Sequence, residues 1–430
     1  MVGTLSPFLG NLTYLKHLSI YRTYYISGQI PPELGKLSNL VHLSLGYNNL
    51  SGSIPASLGD LRRLEHLSLS NNHLSGSIPL SIFHSSNSLS NLDLRSNELT
   101  SSIPCSFANL TSLTHLYLSS NRITGPIPSS IDNLVSLSSL YLDNNKLTGV
   151  IPASIGNLKS LEYLMLHNNQ LVGPLPELAN MQTLLNLDLS YNPLKLTSIP
   201  NWIANNKNIN HLGLAGLGVK GKLPQWLSSL SEMRHIDLSS NQITGELPSG
   251  LGNMKYLTYL NFSIISSTQK FQWNSRNLST SNRLIFTQMS CMDLWDNNFS
   301  VPLHEEIGNT SSMKRIVISL DLSNNPLGGT IPKSIANMYR LKVLNMVNTR
   351  ISGTIPSQLG SSRFKSILLS NNRLTGSIPK KVLSFDTLEV FDVSRNQLCG
   401  KIPPHNMSLP ASAFMHNVGL CGAPLPPCKP

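Results

Sequence analysis

The sequence predicts a repeat solenoid of the α/β class, in which short strands pair in parallel from one repeat to the next. A Leu-x-Leu core motif, with Leu sometimes replaced by another apolar residue, begins at sixteen positions in the 430 residues. Neighbouring motifs are 23 to 25 residues apart, except for two gaps of 32 and 28 residues. Only 12% of residues are charged and 6% are aromatic, which suits a Leu-filled stack better than a compact enzyme. The motifs begin at Leu18, Leu43, Leu67, Leu92, Leu116, Leu140, Leu164, Leu187, Leu212, Ile236, Leu260, Met292, Leu320, Leu344, Ile367 and Phe391.

Each residue type in the repeat has a physical task. Both apolar residues of Leu-x-Leu point into the core and the middle residue faces solvent, as the two-residue period of a strand requires. An Asn follows many of these strands, because its amide can donate to and accept from turn backbone groups that would otherwise be buried without partners. Gly permits the next bend, and Pro holds the following segment extended. These asparagines are Asn48, Asn72, Asn97, Asn121, Asn145, Asn169, Asn192 and Asn241.

One complete repeat runs from Leu43 to Leu61 and reads LSLGYNNLSGSIPASLGDL. This pattern resembles the plant-specific class of extracellular leucine-rich repeats, which occurs in receptor-like kinases, receptor-like proteins and polygalacturonase-inhibiting proteins. The resemblance covers almost the whole chain. It implies a right-handed superhelix with the parallel β-sheet on its concave face and 3-10 or short helical turns on its convex face.

The repeat pattern also predicts the organisation of the chain. We expect leucine-rich repeats over 1–262 and 291–403, and a C-terminal disulfide cap over 404–430. Residues 263–290 are expected to form either an irregular insertion, similar to the island of plant receptor-like proteins, or a degenerate repeat. The chain begins within a repeat and shows neither the family's N-terminal cysteine cap nor a signal peptide, so we expect a truncated start.

Cysteines and sequons point to an oxidising, extracellular setting. Cys421 and Cys428 are expected to form a local disulfide at the end of the coil. The pairing of Cys105, Cys291 and Cys399 stays open; the polygalacturonase inhibitors have a further cysteine where this chain has Gly419, so by that resemblance Cys399 lacks its partner. No stretch approaches the ~20 apolar residues of a membrane span. We expect a location in the cell wall or at the outer face of the plasma membrane. Candidate N-glycosylation sites are Asn11, Asn49, Asn109, Asn261, Asn277, Asn298, Asn309 and Asn406.

The formal charge of +11 is concentrated in the C-terminal part, where residues 305–430 contain 14 Lys and Arg against 6 Asp and Glu. A basic flank can attract acidic partners such as a cell-wall polysaccharide. The charges are scattered, however, and no nucleic-acid recognition motif accompanies them. A generic solvated surface is therefore the favoured interpretation of these charges.

The best candidate for a ligand-binding site is a cluster of exposed aromatic and charged residues on consecutive repeats. Exposed aromatics beside a few charges are the composition of interface hot spots. We predict that this cluster binds ligand on the concave face. Its members are Arg95, His115, Tyr117, Tyr141, Asp143, Tyr163, Met165 and His167.

Two solvent-facing columns and one dipeptide are weaker candidates. Six of the twelve histidines precede the first core residue of a strand, which suggests either a pH-responsive face or the usual occupancy of this position. Aspartates recur two positions further along, in the middle of Leu-x-Leu, where we interpret them as part of the repeat and not as acid–base catalysts. Trp295-Asp296 is a second, weaker site. The six histidines are His17, His42, His66, His115, His211 and His235.

The sequence favours recognition over catalysis. It contains no phosphate-binding Gly-rich loop, kinase signature, zinc-protease motif, paired CxxC or nucleophile elbow. We therefore predict a non-catalytic module without a cofactor or metal that binds a peptide or protein in defence, development or signalling; a co-receptor is a further compatible partner. The alternative is a secreted inhibitor of microbial polygalacturonase, to which the C-terminal segment is also similar.

Overall fold

The computed structural model describes residues 3–85, 88–244, 254, 256–263, 291–296, 302–303, 305–309, 317–361, 363–384, 386–405 and 408–428. The chain divides into two compact units. The first unit comprises Met1–Leu196 and Pro200–Leu217, and the second comprises Thr197–Ile199 and Gly218–Pro430. Of the segment 263–290, predicted as an island or degenerate repeat, residues 264–290 lie outside the described residues. Its predicted boundaries therefore stay predictions.

The first unit has a parallel sheet of nine three-residue strands, each with its Leu-x-Leu core residue at the centre. Leu18 pairs with Leu43 and Leu43 with Leu67, and this register continues strand by strand. The strands are β1 (His17–Ser19), β2 (His42–Ser44), β3 (His66–Ser68), β4 (Asn91–Asp93), β5 (His115–Tyr117), β6 (Ser139–Tyr141), β7 (Tyr163–Met165), β8 (Asn186–Asp188) and β9 (His211–Gly213).

The second unit repeats this arrangement with seven strands in the part that the structure describes. Ile236 pairs with Leu260, Leu260 with Met292 and Met292 with Leu320, so the register is kept across both long gaps in the repeat. The strands are β10 (His235–Asp237), β11 (Tyr259–Asn261), β12 (Cys291–Asp293), β13 (Ser319–Asp321), β14 (Val343–Asn345), β15 (Ser366–Leu368) and β16 (Val390–Asp392). The predicted parallel repeat solenoid is confirmed.

Shorter strands and 3-10 turns complete each repeat. Secondary strands in the first unit are Gly3–Thr4, Ile26–Gly28, Asn49–Ser53, His73–Gly76, Glu98–Leu99, Thr124–Gly125, Lys146–Val150 and Gln170–Val172; in the second they are Lys220–Lys222, Gln242–Thr244, Ser352–Gly353, Arg373–Gly376, Asn396–Lys401 and Asn417–Cys421. The 3-10 turns are Pro7–Asn11, Pro32–Lys36, Ala56–Asp60, Cys105–Asn109, Ser129–Asn133, Ala153–Asn157, Asn201–Asn205, Gln225–Ser229, Ile307–Asn309, Lys333–Asn337, Ser357–Ser361, Lys380–Leu383 and Ala411–Ala413. One repeat has instead a single α-helical turn, α1 (Ile82–Ser85).

Asparagine amides join each repeat to its neighbours. Asn121 is 9% exposed; its Nδ2 donates to the carbonyls of Leu94 and Leu118, at 3.0 Å each, and its Oδ1 accepts from the Leu99 N–H at 3.0 Å. The residue before it, Ser120, has a left-handed φ of 56°, which turns the chain out of the strand. Equivalent bonds are made by Asn72, Asn97, Asn145, Asn169, Asn192 and Asn396.

The C-terminal segment and the sequons bear on the expected extracellular setting. Cys421 and Cys428 form a disulfide with an S–S distance of 2.06 Å, whereas Cys105 and Cys399 are exposed free thiols. Cys399 lies directly opposite Gly419 on paired strands. Among the described candidate glycosylation sites Asn11, Asn49, Asn109 and Asn309 are exposed. Asn261 differs, because it is 8% exposed and its amide donates to Tyr259; Asn277, Asn298 and Asn406 lie outside the described residues.

We predict that Asn121→Ala lowers the free energy of unfolding of the first unit by about 1–3 kcal/mol. The substitution removes the amide that accepts from the buried Leu99 N–H and donates to the Leu94 and Leu118 carbonyls. Urea denaturation of the full chain measures the effect. Asn133→Ala is the matched control, because Asn133 is exposed at the end of a 3-10 turn. Equal destabilisation by the two variants would contradict the role given to the buried amide.

Candidate ligand-binding surface

The register of the first unit sets its solvent-facing side chains in columns. Tyr117 pairs with Tyr141 and Tyr141 with Met165, while Ser139 pairs with Tyr163. Because parallel strands are ~4.8 Å apart, side chains at equivalent positions of neighbouring repeats come into contact. All eight residues predicted for the site lie on β4 to β7 or within the two residues that follow a strand. The structure therefore places the predicted cluster on one face of one unit.

A band of stacked rings forms the centre of this face. The Arg95 guanidinium lies over the Tyr117 ring, 4.6 Å from its centroid. The Tyr117 and Tyr141 centroids are 5.0 Å apart in an edge-to-face arrangement, and those of Tyr141 and Tyr163 are 6.3 Å apart and stacked. Each ring is partly exposed. Burial, followed by the neighbouring Tyr117 and Tyr163, raises the pKa of Tyr141, so this phenol stays protonated at physiological pH. These contacts are the favourable geometries for aromatic and cation–π pairs.

Asp93 holds the arginine in place at one end of the band. Its Oδ2 accepts from Arg95 Nε at 3.2 Å and from Arg95 Nη2 at 3.0 Å. The Arg95 side chain is 43% exposed. Burial lowers the pKa of Arg95, but the Asp93 carboxylate outweighs it and the pKa is raised. The guanidinium is therefore a fixed, charged and accessible group above Tyr117.

A second group of contacts, centred on His167, lies beside the band. His167 Nε2 is 3.5 Å from Asp143 Oδ2, and its Nδ1 is 3.2 Å from Asp188 Oδ2. His211 Nε2 approaches the same Asp188 oxygen at 3.8 Å. Asp143 also accepts hydrogen bonds from Ser119 and Asn144. The His167 imidazole therefore bridges two carboxylates, and we call these four groups, Asp143, His167, Asp188 and His211, the His167 cluster.

The pKa shifts in the His167 cluster follow from its geometry. Burial alone lowers the pKa of His167, but the hydrogen bond and charge of Asp188, with the charge of Asp143, raise it overall. Burial alone raises the pKa of Asp188, but the adjacent His167 and His211 imidazoles, together with hydrogen bonding from Ser190, hold it well below its usual range. Both partners therefore favour the ionised pair.

Gly213 provides the space for this pair. It pairs with Asp188 across β8 and β9, and a Cβ built on Gly213 would overlap the Asp188 carboxylate. Any larger residue here would displace the carboxylate from its two histidines. The glycine is needed for this close approach and not for its backbone conformation, since its φ is not in the left-handed range.

Sequence reasoning missed Asp93, Asp188 and His211 as members of this surface. The two aspartates occupy the recurring Asp column and were interpreted as ordinary repeat residues, while His211 was counted only in the histidine column. What could have drawn attention to them is their register with Arg95, His167 and Gly213.

The weaker candidate Trp295-Asp296 lies in the second unit, where the Trp295 backbone N–H donates to Asp293 Oδ1 at 3.4 Å. Burial raises the pKa of Asp293 to about 6, with Asp321 and Asp237 adding to the shift.

Within the described ranges, no group of three or more His, Cys, Asp or Glu side chains is placed to hold a metal ion. Nor does any helix among the described residues have the length and apolar character to cross a membrane.

We predict that Asp188→Asn destabilises the first unit on the order of 2 kcal/mol, because a charged hydrogen-bonding partner of two histidines is lost. The raised pKa of His167 contributes stability below its ordinary value of 6.5, and this is lost as pH rises through the folded-state pKa. The lowered pKa of Asp188 contributes above its ordinary 3.8 and is lost on acidification. Urea denaturation at several pH values should show the largest difference from wild type between about pH 4 and 6.5. A pH-independent difference would contradict the ionised pair.

We further predict that Gly213→Ala lowers the pKa of His167 towards its ordinary value, because the displaced carboxylate no longer stabilises the imidazolium. Histidine-selective NMR titration measures this pKa directly. Gly156→Ala is the control, since its added Cβ would meet its nearest neighbour, Leu178, at an ordinary 3.6 Å. An unchanged His167 titration in Gly213→Ala would contradict the proposed role of the glycine.

Family models and solved structures agree on the origin of this fold. The leucine-rich repeat region model matches residues 75–317, and further leucine-rich repeat models match 13–74, 317–338 and 340–362. Comparison with curated protein sequences finds no match.

Among solved structures, the Arabidopsis receptor kinase HAESA ectodomain, in complex with an N-terminally extended IDA peptide hormone, is 31% identical to this chain, with a TM-score of 0.78. The match covers 100% of this chain and 74% of the HAESA chain. The TDR receptor is 32% identical, with a TM-score of 0.75, and covers 98% and 75%. The PEPR1–AtPEP1 structure is 30% identical, with a TM-score of 0.75; it covers 94% of this chain, which spans only 58% of that one. The chain belongs to the plant extracellular leucine-rich-repeat family.

Proposed function

We propose that this chain is an extracellular recognition module that binds a peptide or protein segment on the sheet face of its first unit. The observation that carries the proposal is the band from Arg95 to Tyr163, in which a fixed guanidinium and three tyrosines form one accessible surface. Tyrosine and arginine are the residues most enriched among binding hot spots. The solved HAESA ectodomain, which matches the full length of this chain, is in complex with a peptide hormone. This similarity supports the same class of ligand here.

The dimensions of the band suit an extended peptide. From β4 to β7 it crosses three strand intervals of ~4.8 Å, or about 14 Å. An extended chain advances ~3.3 Å per residue, so about four ligand residues would lie over the band. Their apolar parts would pack on the rings, while tyrosine hydroxyls and the guanidinium would bond their carbonyl groups. We propose that this face is the concave one that the repeat pattern implies.

The chemistry of the surface favours binding without catalysis. Asp188 has a depressed pKa and is paired with two histidines, so it is a poor general acid or base near neutral pH. Asp93 is paired with Arg95, and Asp143 accepts hydrogen bonds from Ser119 and Asn144. These carboxylates hold the Arg95 and His167 side chains in place and are not positioned to act on a substrate. The module would therefore act by presenting a bound ligand, in signalling or defence, to further partners such as a co-receptor.

The extracellular location is part of the proposal. The Cys421–Cys428 disulfide suits an oxidising compartment, and the similar solved structures include receptor ectodomains. Polygalacturonase inhibition, suggested by the C-terminal resemblance, stays an alternative prediction. Fungal polygalacturonase activity in the presence of the purified chain tests it directly, and inhibition that survives loss of the tyrosine band would favour it.

We predict that substituting both Tyr117 and Tyr141 by Ala abolishes the enrichment of binders from a displayed library of short random peptides. Each truncation is expected to cost about 1–2 kcal/mol of binding free energy, since hot-spot rings supply most of the buried contact. Affinities of peptides selected on the wild-type chain measure the loss. Tyr14→Ala is the control, because Tyr14 is 92% exposed and precedes β1. Equal affinities for wild type and the double variant would refute the proposed surface.

A further inference from the structure

Three histidines lie side by side on the first three strands of the first unit. His17 pairs with His42 and His42 with His66 in the parallel register. The His17 and His42 ring centroids are 6.3 Å apart, and those of His42 and His66 are 5.5 Å apart. His17 and His66 are exposed and His42 is half-buried between them. We call these three residues the histidine row.

The histidine row differs from three other histidines of the same unit, His73, His167 and His211, in having no carboxylate partner in the described part of that unit. His73 lies 3.5 Å from Glu98, and His167 and His211 share Asp188. Over the described ranges, no carboxylate comes within 4.0 Å of an imidazole of the row.

The charges around the row do not replace that partner. Lys16 and Glu65 directly precede His17 and His66, and Arg22 lies beyond the end of β1. Burial, followed by the charges of His66 and His17, lowers the pKa of His42. A protonated row would thus hold neighbouring positive charges, and any strong counter-charge has to come from outside the unit.

The row borders the surface proposed for ligand binding. Beside it, the next column contains only Ser19, Ser44 and Ser68, which leaves a small-residue floor. On the far side of this floor the rings of Tyr21 and Tyr47 meet edge to face at 5.3 Å, and the Arg22 guanidinium lies 5.4 Å from the Tyr47 centroid.

The serine floor continues into the tyrosine band through the register of the sheet. Ser68 pairs with Asp93 and Asp93 pairs with Tyr117. A peptide seated on the tyrosine band could therefore extend along the serine floor, between the histidine row and the Tyr21–Tyr47 pair.

We propose that the histidine row receives an acidic segment of the peptide ligand, so that binding is coupled to proton uptake and tightens as pH falls. The proposal rests on the proposed peptide-binding function and names the chemistry of the ligand at this end of the surface. Glu or Asp side chains supply the counter-charge that the row lacks, and the strand interval of ~4.8 Å lets neighbouring imidazoles bind carboxylates of one extended segment.

The direction of the pH effect follows from linkage. A bound carboxylate favours the imidazolium, so each histidine has a higher pKa in the complex than in the free protein. Affinity therefore rises as pH falls below the pKa of the bound state, and levels off below the pKa of the free state. His42 starts from a lowered pKa, which extends the pH interval of its proton uptake on binding to the acid side. A rise of one pKa unit at one histidine changes affinity by about tenfold.

The test uses the full chain with two matched probes, a short oligoglutamate peptide and the corresponding oligoglutamine peptide. Histidine-selective NMR titration should show a raised His42 pKa with oligoglutamate only. Affinity for oligoglutamate should be at least about tenfold tighter near pH 5 than near pH 7.5, the interval over which histidine titrates. His42→Gln and His66→Gln should each reduce that ratio severalfold. His73→Gln, which removes an imidazole already paired with Glu98, should leave the ratio unchanged.

Three results would overturn the proposal. These are an unshifted His42 titration, equal pH dependence in His42→Gln, His66→Gln and wild type, or tighter binding of oligogalacturonate than of oligoglutamate, which would assign the row to polysaccharide. Thermal unfolding of each variant verifies that it is folded. The Tyr117 and Tyr141 experiment is independent of these probes, so failure of the peptide-binding surface and failure of the acidic-segment proposal are distinguishable.

Discussion

The buried asparagine amide is the interaction on which the rest of this structure depends. A chain that leaves a strand every 23 to 25 residues must place turn N–H and C=O groups inside the stack, where an unpaired group would cost on the order of 1–3 kcal/mol. Asn121 and its equivalents satisfy several of these groups at once and link each repeat to the one before it. Thr349 replaces the asparagine in one repeat. Its hydroxyl donates to the Met346 carbonyl, and its backbone N–H donates to Asn372 Oδ1.

Because buried leucines and asparagines stabilise the fold, the side chains on the sheet face remain available for binding. Core leucines such as Leu116 and Leu140 are fully buried and keep the strands in register, so a change at Tyr117 or Tyr141 alters the surface and leaves the scaffold intact. The register then converts sequence spacing into contact: residues 24 positions apart, such as Tyr117 and Tyr141, become neighbours at 5.0 Å. A binding face can therefore be composed one repeat at a time.

The repeat arithmetic made the fold and the position of the aromatic band predictable from sequence. Periodicity fixes which residues are central in each strand, and it placed Tyr117, Tyr141 and Tyr163 in adjacent repeats before any contact was known. It could not reveal that Asp188 pairs with two histidines, because this depends on side-chain direction and on the space left by Gly213. Nor could it show that the sequon residue Asn261 is buried on a strand, since the motif is defined without reference to exposure.

The face of the first unit contains histidines in two electrostatic settings, and the difference bears on how pH acts on it. His167 has its carboxylates within the fold, so its protonation stabilises the protein itself and stiffens one side of the surface. His42 lies between two other histidines and has no carboxylate partner among the described residues of the unit. Burial and these neighbours lower its pKa, so a bound anion would favour its protonation. Acidification would thus stabilise the protein at the His167 cluster. At the histidine row it would favour the binding of a negatively charged ligand group. The first effect acts on folding, and only the second acts on the affinity for a peptide.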